Sequence, residues 1–195
     1  MDNKIWEVKE KEKICCFDID GVLMSCYPQC WVDFINSKTG KEFKNLNQAK
    51  ASVPYDYYRE LKREYRTSGI KEMFPADPQA SSVTRTLKKL GWTIIIMTAR
   101  PAHKYPTLYT QTINWLKKNK IFYDSIYFEE DSKHSKILSK IPNIKFMVED
   151  NSYIANQISK WGYKVYLMDT QYNSELDVGE NVVRINNLQE VLENE

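Results

Sequence analysis

Short apolar runs alternate with amphipathic stretches along most of this chain, and that rhythm constrains the fold more than any other feature. Residues 14–19 (ICCFDI) and 93–97 (TIIIM) are compact and apolar. Residues 125–128, 144–148, 164–168 and 181–185 repeat the theme. Continuous apolar runs of this length are the pattern of strands buried on both faces. Between them lie helical patterns at 78–90, 107–119, 133–140 and 152–160. In the first, Val83, Leu87 and Leu90 share one stripe, and Gly91 supplies a stop. In the second, Leu108, Ile113 and Leu116 point to a core. Strand followed by helix, repeated, predicts a parallel sheet with helices on both faces. The expected fold is a Rossmann-like three-layer α/β/α domain.

Residues 22–76 break the rhythm. They hold helical patterns, at Trp31–Ser37 and Tyr55–Arg66, and no convincing strand. The stretch exceeds the roughly 15 residues beyond which a structureless loop is uncommon. It is expected to be a small helical cap inserted after the first strand. The core domain is then 1–21 together with 77–195. The cap is aromatic: Tyr27, Trp31, Phe34, Phe43, Tyr55, Tyr57, Tyr58 and Tyr65 lie in it. Most of these should form its own small core, and one or more could stack on a base. Arg59, Lys62, Arg63 and Arg66 read as a solvated basic face.

Composition narrows the class. Hydrophobic residues make up 42% and charged residues 28%, as in a soluble globular protein. A net charge of +2 gives no global pull toward nucleic acid or membrane. No run nears the roughly 20 apolar residues of a membrane span, and the charged N-terminus lacks a signal-peptide core. A cytoplasmic location is expected. Cys15, Cys16, Cys26 and Cys30 have no nearby histidine, so free thiols fit better than a zinc site. His103 and His134 read as surface residues.

Sites in open α/β sheets gather at the carboxyl ends of strands. The first strand is followed by Asp18, Asp20 and Gly21, the second by Thr98 and Arg100, and the fourth by Glu149 and Asp150. Lys136 sits on the short helix before the fourth strand. Neighbouring carboxylates repel and call for a cation, and an oxygen-only set suits Mg²⁺. A carboxylate beside that cation can attack phosphorus and form an aspartyl-phosphate. A second carboxylic acid can protonate the leaving oxygen and then deprotonate water. Thr98 and Lys136 can stabilise the transferring group. Each residue also has a bland reading: Asp18 as a turn, Thr98 and Glu149-Asp150 as helix caps, Arg100 and Lys136 as surface charges.

The segment Asp18-Ile19-Asp20-Gly21-Val22-Leu23 resembles the first motif of the haloacid dehalogenase-like (HAD) phosphatases. Thr98, Lys136 and Glu149-Asp150 resemble the second, third and fourth, in the family's order. Lys133 competes with Lys136 for the third. The resemblance implies Asp18 as nucleophile and metal ligand, and Asp20 as general acid/base with its main-chain carbonyl on the metal. It implies Asp150 as a direct ligand and Glu149 as support for the metal or its waters; many relatives have Asp-Asp there. Thr98-Ala99-Arg100-Pro101, the inserted cap and Tyr166-Leu167-Met168-Asp169-Thr170…Asn173 resemble the 5′-nucleotidase and 5′(3′)-deoxyribonucleotidase branch. The implied substrate-binding residues are Thr98, Ala99, Arg100 and Lys136. The expected substrate is a small phosphomonoester such as a nucleoside monophosphate. A 3′-phosphatase on nucleic-acid ends and a non-catalytic phosphate-binding protein are the alternatives.

Overall fold

The computed structural model describes residues 13–128, 138 and 140–195. The expected helix at 133–140, with Lys133, His134 and Lys136, lies outside the described residues, apart from Leu138 and Lys140. Strands β1 (Lys13–Phe17), β2 (Trp92–Thr98), β3 (Ser125–Phe128), β4 (Ile144–Glu149), β5 (Lys164–Met168) and β6 (Val182–Ile185) form one sheet in the order β3-β2-β1-β4-β5-β6. Every pairing is parallel. The α/β expectation therefore holds.

The strands are largely apolar because alternate residues serve two cores. Cys15, Phe17, Ile94, Ile96, Phe146 and Val148 face one layer. There they meet helix α4 (Ala80–Lys89) through Val83 and Leu87, and helix α5 (Pro106–Lys118) through Trp115 and Leu116. The short C-terminal helix, α7 (Gln189–Glu193), adds Val191 to this side. Ile14, Cys16, Ile95, Met97 and Met147 face the other layer, where helix α6 (Ser152–Ser159) supplies Ile154 and Ile158. Burying one such side chain contributes about 1.5–3 kcal/mol, so a sheet lined on both sides dominates the stability.

Two residues depart from the expected stripes. Leu90 is exposed because α4 ends at Lys89, leaving Leu90 as the cap residue before the Gly91 turn. Ile113 is only half-buried, and Trp115 takes the deep position on α5 instead.

Between β1 and α4 the chain forms α1 (Gln29–Thr39), α2 (Leu46–Ser52) and α3 (Tyr55–Thr67), then a 3₁₀ turn at Ile70–Glu72. Helix α2 was not legible in the sequence pattern. These helices share their own core of Trp31, Phe34, Ile35, Leu61 and Tyr65. The Trp31 and Tyr65 rings lie 4.7 Å apart, and the Trp31 indole donates to the Tyr58 hydroxyl at 3.1 Å. The central aromatics thus pack on one another. Arg59, Lys62 and Arg63 are exposed, as a solvated face requires. The ends of the insertion meet where the Asp77 amide donates to the Leu23 carbonyl at 2.8 Å. The Trp115 indole also ties Phe74 to α5 through its carbonyl at 2.7 Å.

Candidate active site

β1 lies at the centre of the sheet, between β2 and β4. The residues following these three strands therefore converge. Phe17 is in register with Ile96 on one side and Val148 on the other. One step on, the Asp18 amide donates to the Val148 carbonyl at 3.0 Å. Asp18 is thus fixed beside the end of β4, where Glu149 closes the strand and Asp150 leaves it. All three carboxylates are buried. Their oxygens lie within 4.8 Å of one another. Burial, and then the Asp150 and Asp20 charges, push the Asp18 carboxyl well above its usual range.

Gly21 makes this approach possible. Its φ of +94° is a conformation that side chains resist. A Cβ there would also fall inside the Asp150 carboxylate. Glu149 accepts the Asn151 amide at 3.2 Å, and Asn151 caps α6 by accepting from Tyr153 at 3.0 Å. Asn151 is a structural cap.

Asp20 stands apart from this trio. Its two side-chain oxygens face cations. Arg100 donates through Nε at 3.0 Å and Nη2 at 2.7 Å. Lys71 donates to both oxygens, at 3.0 and 2.8 Å. Burial pushes the Asp20 carboxyl up, but Arg100 and Lys71 outweigh it and hold the group well below the usual carboxylate range. Burial is also the main reason the Lys71 ammonium is pulled down to about 8, against the opposing pull of Asp20.

Arg100 is no surface ion pair. It is 3% exposed, donates to Thr112 Oγ1 at 3.2 Å, and lies 5.8 Å over the Trp115 ring. Thr98 is buried at the end of β2 and accepts the Arg100 amide at 3.4 Å. Ala99 is exposed between them, and His103 is exposed farther on. The four cysteines are free thiols.

Lys71 escaped the sequence reading. It is one of many lysines, and it follows the insertion's last helix, in a turn without periodicity. Its only early signal is Gly69, which bends the chain at φ +82° just before it. The loop after β5 also reaches the site, because the Tyr172 hydroxyl donates to the Asp150 carboxylate. The expected role of Lys136 lies outside the described residues.

No family model matches the chain. The chain is 30% identical over 182 residues to a nucleotidase of Clostridium acetobutylicum, with 90% of each chain covered. Its fold resembles a haloacid dehalogenase-like family hydrolase from Streptococcus pneumoniae, with a TM-score of 0.67 at 15% identity over 94% of this chain and 98% of that one. It also resembles a D,D-heptose 1,7-bisphosphate phosphatase from B. bronchiseptica complexed with magnesium and phosphate. That comparison gives a TM-score of 0.56 at 12% identity over 94% and 99% of the two chains. Among the described residues, no helix is long and apolar enough to cross a membrane.

Proposed function

Because the chain belongs to the haloacid dehalogenase-like hydrolases, we propose that it is a Mg²⁺-dependent phosphomonoesterase acting on a nucleoside monophosphate. The observation that carries this reading is the trio Asp18, Glu149 and Asp150, buried at adjacent strand ends with oxygens within 4.8 Å. Three carboxylates so close, without a sulfur or imidazole donor among them, match the preference of Mg²⁺ for oxygen. Asp18 and Asp150 would hold the ion directly, with the Asp20 main-chain carbonyl, and Glu149 would hold it or its waters. When bound, Mg²⁺ offsets the repulsion between these carboxylates and the phosphate.

Asp18 Oδ attacks phosphorus, and the bond from phosphorus to the leaving oxygen breaks. Asp20 gives that oxygen its proton, so the products are an alcohol and an aspartyl-phosphate. Water then attacks phosphorus, Asp20 takes its proton, and Asp18 leaves as a free carboxylate with phosphate released. The double cation contact on Asp20 favours its ionised form, the form needed in the second step, and must loosen for Asp20 to carry the proton it gives in the first. Thr98 and the Ala99-Arg100 segment would contact the phosphate, and Lys136 would complete the set by its place in the motif order.

The nucleotide substrate rests on the likeness to the C. acetobutylicum nucleotidase. Residues 22–76 act as the cap and 1–21 with 77–195 as the core, and free thiols suit a reducing cytoplasm. Assay with an aryl phosphate, with Mg²⁺ or EDTA, alongside Asp18→Asn, tests the chemistry. Turnover that ignores both metal and mutation would sink it, and no turnover of any phosphoester would favour a binding role. A panel of ribo- and deoxynucleoside monophosphates with a 3′-phosphorylated oligonucleotide tests the substrate.

A further inference from the structure

We infer that Asn173 and Tyr172 are positioning residues for Asp150, gripping it at its main chain and at its carboxylate. The inference rests on the reading that Asp18, Glu149 and Asp150 hold a divalent cation.

The last rung between β4 and β5 pairs Glu149 with Leu167. Beyond it the strands diverge, and the Asp150 and Met168 carbonyls need donors that the backbone ladder no longer supplies. One side-chain amide serves both. Asn173 Nδ2 donates to the Asp150 carbonyl at 2.7 Å and to the Met168 carbonyl at 2.8 Å. It extends the sheet by one side-chain rung, under the residue that turns into the site.

That amide is itself fixed. Asn173 is 1% exposed. Its Oδ1 accepts from the Thr170 amide at 3.0 Å and from Arg184 Nη1 at 3.2 Å. Arg184, on β6, also donates to the Asn173 carbonyl at 2.7 Å, the Leu176 carbonyl at 2.6 Å and Asp169 Oδ1 at 2.6 Å. Both amide protons and the amide oxygen are therefore used, so the group has one orientation. The adjacent residue of the same loop, Tyr172, donates its hydroxyl to Asp150 Oδ2. Gly21 packs against the same carboxylate, where even a Cβ would collide with it. Asp150 is thus confined by the sheet, by the loop and by the Gly21 backbone.

A carboxylate ligand oriented this way arrives with little rotational freedom to lose. Removing such outer partners of a metal ligand typically costs about 10–100-fold in affinity. Tyr172→Phe keeps the ring and deletes the hydroxyl, and at 41% exposed it can be changed without disturbing the fold. Asn173→Ala deletes the rung.

The test is direct Mn²⁺ binding by calorimetry to the wild type, Asp150→Asn, Tyr172→Phe and Asn173→Ala, with thermal scans of each. The expected result is that Asp150→Asn abolishes binding, while the dissociation constant rises about 10-fold in Tyr172→Phe and about 10–100-fold in Asn173→Ala. In a parallel Mg²⁺ titration of turnover, the half-saturating Mg²⁺ should rise in Tyr172→Phe. A substrate-contact role would instead raise KM for substrate at every Mg²⁺ concentration. Wild-type affinity in Tyr172→Phe and in folded Asn173→Ala overturns the inference, and if Asn173→Ala does not fold, wild-type affinity in Tyr172→Phe alone does so. Those outcomes leave the metal reading standing, since Asp150→Asn still loses binding. Absence of Mn²⁺ binding by the wild type removes that reading, and this inference with it.

Discussion

Lys71 reaches out of the helical insertion and holds both carboxylate oxygens of Asp20, at 3.0 and 2.8 Å. Asp20 belongs to the loop that leaves β1, so this ion pair joins the insertion to the sheet at the residue proposed to move protons. Both partners are largely buried, with side chains 7% and 21% exposed. A pair so placed is far less screened than one at the surface.

Lys71→Met leaves Asp20 with Arg100 alone. Losing a charged hydrogen-bond partner costs about 1.5–3 kcal/mol. The melting temperature should fall by roughly 3–12 °C in a chain of this size. Turnover should fall roughly 10-fold or more, because Asp20 loses one of its two cationic partners. Lys71→Arg should recover part of both losses. Thermal scans with steady-state kinetics on an aryl phosphate check this.

Arg100→Lys keeps the charge but not the fork. The guanidinium serves Asp20 through two nitrogens and Thr112 through a third. An ammonium is a point charge that cannot span those partners. Turnover should drop about 10-fold or more, with a modest fall in melting temperature. Steady-state kinetics on the purified variant would show it, and wild-type rates would refute it.

Asp18 gives metal-free protein a pH dependence of known sign. Its carboxyl is raised in the folded state by burial and by its acidic neighbours. The folded chain then keeps a proton that the unfolded chain releases above about pH 4. Stability from this group is complete below that point and is lost as pH rises through the folded value. Asp20 shifts the other way, so its contribution changes only below the usual carboxylate range. EDTA-treated protein should therefore melt lower at pH 7 than at pH 5. Mg²⁺, or Asp18→Asn, should reduce that difference. Scanning calorimetry at the two values reads it directly.

Gly21→Ala tests the close approach of the β1 loop to Asp150. The substitution forces a side chain into a positive φ, costing about 1–2 kcal/mol, and sets a methyl where the carboxylate lies. Stability and Mn²⁺ affinity should both fall. A variant that melts like the wild type and binds Mn²⁺ equally well would contradict the packing.

Much of this site could be read from the chain because strands advertise themselves. The apolar runs located β1, β2 and β4, and the polar residues that end them had to share an edge, which brought Asp18, Thr98, Glu149 and Asp150 into view. Arg100 was legible as a position but not as a partner, since its burial against Trp115 and Thr112 depends on how α5 packs. Lys71 and Tyr172 left no periodic trace. Each lies in a turn, and each acquires meaning only when a distant segment folds over it. Asn173 was visible as a motif residue, but its bridging role requires knowing that β4 and β5 are neighbours.

The strand order has a consequence for how the protein comes into being. Asp18 is made early and Asp150 late, yet they meet on adjacent strands because β4 lies beside β1 while β2 and β3 lie on its other side. A growing chain therefore carries its proposed nucleophile for most of its synthesis without the carboxylates proposed to complete a cation site. A truncated product ending before β4 would lack Glu149 and Asp150, so, on the proposed chemistry, the order of the strands keeps a half-made chain silent.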